Sequence, residues 1–423
     1  MFEQYKEYMM RCARCSNCKF IPQMQITGTK YSYGCPSISR YNFHAYSGGG
    51  RLVTAYAMAE NRIEFTDNLL DIIYKCNLCG SCDIACKYSM DIEVLQPMYE
   101  LRAKAVEEGQ LNPVHMLVIE GLRKEDNMLQ STKSERADWA QGLDVKIITQ
   151  EKVDTYFHVG CRYSFDKELW PMNQRAVNLF KKANIDFGIA GNDEICCGGR
   201  AYELGYQGEL TKYAESNIDL WKSSGIKKFV TNCADCYHHF KVLYDKIGLK
   251  GDIEILHLTE YFDRLIREGK ILPKNSINET VTYHDPCHLG RLGEPWVHWD
   301  GEVEIEFDKR IHHVPQKKFR KGTNGVYEAP RNILKSIPGL RLEEMHRIKE
   351  YAWCCGAGGG VIEAFPEFNQ WTANERLNEA LDTGASSIVT SCGWCMRSFL
   401  DAAEETGTQI KVYDVIELLE KSI

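Results

Sequence analysis

Two stretches, GIKKFVTNCADC (Gly225 to Cys236) and GASSIVTSCGWC (Gly384 to Cys395), are versions of one pattern. Each begins with glycine, runs through a short β-branched segment that reads as a strand, and ends on C-x2-C. Working outward, each is preceded by a Cys-Cys pair with glycines, CCGG (Cys196 to Gly199) and CCGAGGG (Cys354 to Gly360). Before those stand VDTYFHVGC (Val153 to Cys161) and VTYHDPC (Val281 to Cys287), and after them ILHLTEYFDRLI (Ile255 to Ile266) and VYDVIELLEK (Val412 to Lys421). Strand runs alternating with amphipathic helices predict α/β units around a parallel sheet, and their recurrence predicts an internal duplication.

The copies differ in one interval: 34 residues separate Cys161 from Cys196, and 66 separate Cys287 from Cys354. Removing Glu294 to Asn324 restores a matching frame, so the second copy carries an insertion there. Glu302 to Phe307 alternates charged and apolar residues, which predicts a hairpin with one apolar face. With Trp296, Trp299 and the basic end Lys317, Lys318, Arg320 and Lys321, it suits contact with a partner chain.

Upstream lie Cys12-x2-Cys15-x2-Cys18, Cys35-Pro36 and Cys76-x2-Cys79-x2-Cys82-x3-Cys86. A C-x2-C-x2-C triplet places three thiolates around the corner of a [4Fe-4S] cube, and a remote fourth cysteine, commonly exchanged between motifs, completes the site. That exchange pairs Cys12, Cys15 and Cys18 with Cys86, and Cys76, Cys79 and Cys82 with Cys35. Zinc sites favour separated C-x2-4-C pairs or added histidines. The segments Asp91 to Glu108 and Val114 to Leu129 read as helices broken at Asn112-Pro113. The run Gly48 to Arg51 lacks a dinucleotide-binding frame and reads as a loop before a helix at Leu52 to Asn61.

The eighteen cysteines divide into eight, five and five. The five-cysteine sets are Cys161, Cys196, Cys197, Cys233, Cys236 and Cys287, Cys354, Cys355, Cys392, Cys395. A disulfide between adjacent cysteines is strained, and five thiols exceed what one cubane requires. Gly198, Gly199, Gly356 and Gly358 let backbone N–H groups approach cluster sulfurs. Beside the second set, His284, Asp285 and His288 are acid-base candidates, and Arg162, Arg200 and Arg291 are candidate anchors for an anionic substrate.

The N-terminal part resembles bacterial-type ferredoxin domains in a helical version, departing from the common pattern in the sixteen residues between Cys18 and Cys35 and in Lys87, rather than Pro, after Cys86. From about Val153 onward the chain resembles the duplicated CCG domain, and as a whole it resembles the fused catalytic subunit of two-subunit heterodisulfide reductases. The resemblance implies a helical two-cluster ferredoxin domain (1–110), a helical linker (111–151), a first CCG domain (152–279) and a second (280–423) with its insertion at 294–324. It further implies two [4Fe-4S] cubanes passing electrons to two noncubane [4Fe-4S] clusters, held by the five-cysteine sets, where a disulfide is reductively split. Relatives of this kind also serve as electron relays in class II benzoyl-CoA reductase or sulfate-reduction complexes, without a disulfide substrate of their own. A structural zinc protein is the third reading.

A net charge of −8 has the wrong sign for nucleic-acid binding. No flavin or nicotinamide fingerprint is present, and no C-x2-C pair is followed by His, which excludes the usual covalent haem motif. The electron donor is therefore expected on another chain: a flavin, iron-sulfur or membrane haem subunit. The opening MFEQYKEYMMRC has no basic run followed by an apolar core, so a cytoplasmic location is expected, with membrane association only through a partner.

Overall fold

The computed structural model describes residues 2–26, 28–307 and 310–423. The N-terminal part is helical, its principal helices being Gly48–Ala59, Asp67–Tyr74, Ser81–Met90, Leu95–Glu107 and Pro113–Glu125. The last two correspond to the predicted pair, each a few residues shorter. Asn112 caps the second by accepting from the Val114 and His115 N–H groups at 3.0 and 3.2 Å, with Pro113 at the first helical position, where its missing N–H costs nothing.

The glycine run is a correction to the sequence reading. Gly48 to Arg51 is the first turn of the helix Gly48–Ala59, not a loop. Ser47 caps it, its hydroxyl accepting from the Gly50 N–H at 3.0 Å. The glycines are required by crowding: a Cβ on Gly48 would lie 2.7 Å from Cys82 Cβ, and one on Gly50 would lie 2.1 Å from the His44 carbonyl oxygen.

Strands β1 (Lys146–Ile147), β2 (Thr155–His158), β3 (Phe187–Ile189), β4 (Lys228–Thr231) and β5 (Glu254–His257) form one parallel sheet in the order β1-β3-β2-β4-β5. The second part contributes β6 (Thr280–Tyr283), the antiparallel hairpin β7 (Glu302–Glu306) and β8 (Arg310–Val314), then β9 (Arg341–Leu342), β10 (Ser387–Thr390) and β11 (Lys411–Asp414). Its parallel sheet runs β11-β10-β6-β9. Matching β2, β3, β4, β5 to β6, β9, β10, β11 makes the two orders identical, so the duplication seen in the sequence is also one of topology. The first sheet gains β1 at its edge, drawn from the stretch expected as a helical linker. Two residues are too few to show strand periodicity.

The core strands are buried on both faces, as in Thr155–His158 and Ser387–Thr390, which is why they read as continuous β-branched and aromatic runs. Helices pack on these faces through side chains such as Phe180, Trp221, Phe240 and Phe399, all fully buried. The hairpin takes the opposite course, with every residue of β7 exposed. Asp308 and Lys309, inside the expected insertion, lie outside the described residues. Its base rests on the N-terminal helical part: His313 stacks on Tyr8 with ring centroids 6.4 Å apart and meets Trp299 edge-on at 5.1 Å.

The three parts are tied together by Arg102, which is fully buried. Its guanidinium donates to the carbonyls of Ile73, Cys76, Glu203 and Gly359 at 3.1, 2.8, 3.0 and 2.7 Å, reaching the ferredoxin-like part and both α/β parts at once.

Candidate iron-sulfur centres

All eighteen cysteines are free thiols, and only Cys15 is exposed. They gather in four places. Cys86 lies among Cys12, Cys15 and Cys18, close enough for each to raise its pKa after burial has done so. Cys35, Cys76, Cys79 and Cys82 line one small cavity together with Arg51. These are the two exchanged sets expected from the spacing.

The other two places are the five-cysteine sets. Cys161, Cys196, Cys197, Cys236 and Cys233 form a run of sulfur–sulfur contacts. Cys287, Cys354, Cys355, Cys395 and Cys392 repeat it. In each, the sheet delivers the C-x2-C pair at a strand end: Cys233 follows β4 and Cys392 follows β10. Cys233 Sγ accepts from the Cys236 N–H at 3.5 Å as it opens a helical turn.

The donor chemistry fits iron-sulfur clusters. Four or five thiols gathered in one place cannot all ionise without countercharge, and iron supplies that charge while preferring soft sulfur ligands. Burial pushes Cys35 up to about 12, as expected for a thiol held from water without a cation. Some thiols of the five-cysteine sets are pulled the other way: Cys197 by hydrogen bonds from Cys196 and Cys236, Cys355 by those from Cys354 and Cys395, and Cys287 chiefly by one from Cys354. Close-packed glycine backbone forms part of the cradles. A Cβ on Gly160 would lie 2.8 Å from Cys236 Sγ. The N–H groups of Gly49, Gly198 and Gly356 point at Cys18, Cys196 and Cys354 Sγ at 3.2, 3.5 and 3.3 Å.

Of the four glycines expected to serve cluster sulfurs, Gly198, Gly199 and Gly356 offer N–H groups to Cys196, Cys197 and Cys354, whereas Gly358 is small for a different reason, and Gly199 has a second reason besides. A Cβ on Gly199 would lie 2.0 Å from the His239 ring, and one on Gly358 would lie 2.4 Å from the Asn77 carbonyl oxygen.

The four thiol sets stand in a row. Consecutive residues Gly48 and Gly49 touch the first two: Gly48 packs on Cys82, and Gly49 lies between Cys18 and Cys12. The second and third meet where Cys79 and Cys354 share a sulfur hydrogen bond. The third and fourth meet at Cys392 and Cys233, near enough for their charges to interact.

Between the five-cysteine sets lies a buried polar layer that the sequence reading largely missed. His288 bridges Glu203 and Asp235 at 2.8 and 3.1 Å. His239 Nδ1 lies 3.3 Å from Cys197 Sγ, and His238, His239 and His288 have ring nitrogens within 4.8 Å of one another. Burial opposes charge here, but Arg200, His239 and His288 hold Glu203 well below the usual carboxylate range, and Asp235 with Cys287 holds His288 well above the usual histidine range. Comparison of the copies carries the missed signal: His238-His239 follow Cys236, whereas Arg397-Ser398 occupy the matching places after Cys395.

The arginines expected to anchor substrate are committed elsewhere. Arg200 pairs with Glu203 at 2.8 Å, Asp235 at 3.5 Å and Glu363 at 3.7 Å. Arg291 donates to the Cys79 and Glu350 carbonyls, both at 2.6 Å. Arg162 stacks on Trp394 with 4.2 Å to the ring centroid. Asp285 is likewise structural, forked by Arg331 at 2.6 and 2.9 Å. His284, which accepts from Arg376 Nε at 3.1 Å, stays beside Cys355 and Cys395.

Comparison with known proteins agrees with this layout. The cysteine-rich domain (CCG) family model matches residues 155–241 and 281–399, and a 4Fe-4S dicluster domain model matches 8–90. A component of the dihydromethanophenazine:CoB–CoM heterodisulfide reductase of Methanosarcina acetivorans is 29% identical over 97% of this chain and 93% of its own length. The probable iron-sulfur-binding oxidoreductase FadF of Bacillus subtilis is 29% identical over 90% of this chain and 50% of its own, and the EtfAB:quinone oxidoreductase of Syntrophomonas wolfei is 28% identical over 84% and 47%. The chain thus carries two CCG cysteine-rich domains behind a 4Fe-4S dicluster domain and is related along nearly its whole length to iron-sulfur oxidoreductases, this heterodisulfide reductase component among them.

Proposed function

We propose that the protein is an electron-transferring member of a larger redox complex, with a cubane [4Fe-4S] cluster on each four-cysteine set and a noncubane [4Fe-4S] cluster on each five-cysteine set. The observation that carries the reading is the unbroken row of four thiol sets from exposed Cys15 to the buried fourth set. Such clusters, when bound, supply one-electron storage and transfer.

The chain's own residues set the terms of that transfer. Gly49, Gly198 and Gly356 donate N–H groups to ligand sulfurs, and Arg136 Nη2 stands 3.5 Å from Cys161 Sγ while pairing with Glu194 at 3.0 Å. Each compensates sulfur charge and favours the reduced state. The covered interior excludes water from nearly every ligand beyond the first set. Among the described residues no helix is long and apolar enough to cross a membrane, so contact with a membrane is assigned to a partner. The hairpin, with Val303 40%, Ile305 60% and Phe307 83% exposed, is a further element suited to partner contact.

A second reading, reductive cleavage of a disulfide, is favoured by the approach of two complete five-cysteine sets at Cys233 and Cys392. Two electrons delivered there would break one S–S bond and leave two thiolates, which take up two protons.

Iron and sulfide analysis of anaerobically purified protein tests the assignment. Four clusters predict roughly sixteen irons per chain, and zinc in their place overturns it. Steady reduction of a coenzyme M–coenzyme B-type heterodisulfide establishes the second reading; redox-active clusters without turnover of any disulfide leave the relay.

A further inference from the structure

From Tyr8 to Ala59 the chain has six arginines and lysines and no aspartate or glutamate, although the whole protein carries −8. This segment supplies the surface around the only exposed cysteine. Arg14 and Cys15 are exposed, as is Lys19 in part. Among the described residues neither Arg14 nor Lys19 is paired with a carboxylate. Both lie near enough to His44 for their charges to act on its ring, and His44 in turn adjoins Gly49 between Cys12 and Cys18. Asp91, an acidic side chain beyond this segment, already faces Lys321 at 3.9 Å.

Apolar side chains stand exposed among these charges: Met10 57%, Phe20 40%, Phe43 64% and Tyr88 56%. Asn17 Nδ2 donates to Ser89 Oγ at 3.3 Å and Arg11 Nη2 to the Met90 carbonyl at 3.0 Å, which hold the end of the Ser81–Met90 helix, with Tyr88, against the Cys12–Cys18 loop. Phe20 and Tyr88 line one surface cavity, Phe43 adjoins His44 and Met10 precedes the Cys12–Cys18 loop, so exposed apolar and basic side chains stand together around the first thiol set. Rim charges of one sign govern the encounter rate and orientation of a partner, while exposed aromatics supply contact area.

We propose that this face is the docking surface of an acidic one-electron carrier protein, steered by Arg14 and Lys19. The inference rests on the electron-transfer reading above and gives that reading its partner's chemistry. Each encounter passes one electron between the carrier's cofactor and the first cluster, oxidising one and reducing the other, with no bond made or broken. A basic carrier is repelled from the same rim.

The test uses the anaerobically purified full chain and its double variant Arg14→Glu/Lys19→Glu, matched for iron content. Two reductants are compared: an acidic two-cluster bacterial ferredoxin, and reduced methyl viologen, a small cation that needs no docking surface. At low ionic strength the double reversal should slow reduction by the ferredoxin about tenfold or more, with the difference lost near 1 M salt, where the screening length is about 3 Å. Viologen should reduce the variant at least as fast as the wild type.

Binding of the oxidised ferredoxin, measured without turnover, should weaken in parallel, and Phe43→Ala should weaken it without changing the salt dependence. Ferredoxin reduction and binding indifferent to the reversal overturn the proposal, as does equal slowing with both reductants. Failure of viologen to reduce any cluster instead removes the electron-transfer reading itself.

Discussion

The sulfur of Cys79, in the N-terminal part, is hydrogen-bonded to the sulfur of Cys354, 275 positions further along in the second five-cysteine set. Asn77 seals the same junction by donating to the Gly356 carbonyl, and Arg291 by donating to the Cys79 carbonyl at 2.6 Å. On the proposed reading, it is where an electron leaving the ferredoxin-like part crosses.

Cys79→Ala should therefore remove one cluster and break the row at its second member. The expected outcome is a loss of roughly four irons, with the first cluster still reducible by a protein donor and the five-cysteine sites no longer reached from it. Spectroscopic titration with a protein donor checks this. Full reduction of the five-cysteine sites in the variant would show that electrons enter elsewhere.

Gly199→Ala should act on one site alone. The new Cβ would fall 2.0 Å from His239, whose ring sits 3.3 Å from Cys197 Sγ, so the ring must move and overpacking costs about 1–3 kcal/mol. The fourth set should lose its cluster or show a changed signal, while the other three keep theirs, as electron paramagnetic resonance can resolve.

Arg102→Leu should loosen the whole assembly. It strands carbonyls of Ile73, Cys76, Glu203 and Gly359 in a dry interior, at a cost of about 3 kcal/mol or more. Denaturant unfolding followed by both far-ultraviolet and cluster absorbance should show the two transitions separating, because the side chain that spans all three parts is gone.

The fold and the ligand candidates were legible because they rest on local spacing. The strand–C-x2-C repeat revealed the duplicated sheet, and the two triplets with Cys35 and Cys86 led to the thiol sets that gather in the structure. What spacing does not encode is contact between distant parts. Nothing near Cys79 points to Cys354, and the His238-His239 pair gains meaning only when Glu203 and His288 are brought beside it. The glycines at 48–50 were misread because three glycines lower helix propensity; the overriding terms, Ser47 as cap and Cys82 as neighbour, are tertiary.

Stability should depend on pH through Asp414. Its carboxyl is buried and accepts from Tyr163 Oη at 3.0 Å and the Ile416 N–H at 2.8 Å, and burial pushes it up to about 7. The folded protein therefore keeps a proton that an unfolded aspartate loses near pH 4. Stability from this group is greatest at low pH and falls as pH rises toward 7, then levels. Between about pH 5.5 and 7.5 the wild type should lose about 2 kcal/mol relative to Asp414→Asn, measured by denaturant unfolding. Parallel profiles would mean that Asp414 is already ionised in the fold.

Gly48 and Gly49, neighbours in the chain, each touch a different thiol set. Adjacent Cα atoms are about 3.8 Å apart whatever the rest of the molecule does, so one peptide unit fixes the separation of the first two centres. Breathing of the domains, thermal or induced by a partner, can alter the later crossings at Cys79–Cys354 and Cys233–Cys392, where only non-covalent contacts span the gap. The first hop is thereby insulated from conformational control, and any gating of electron flow falls on the later two.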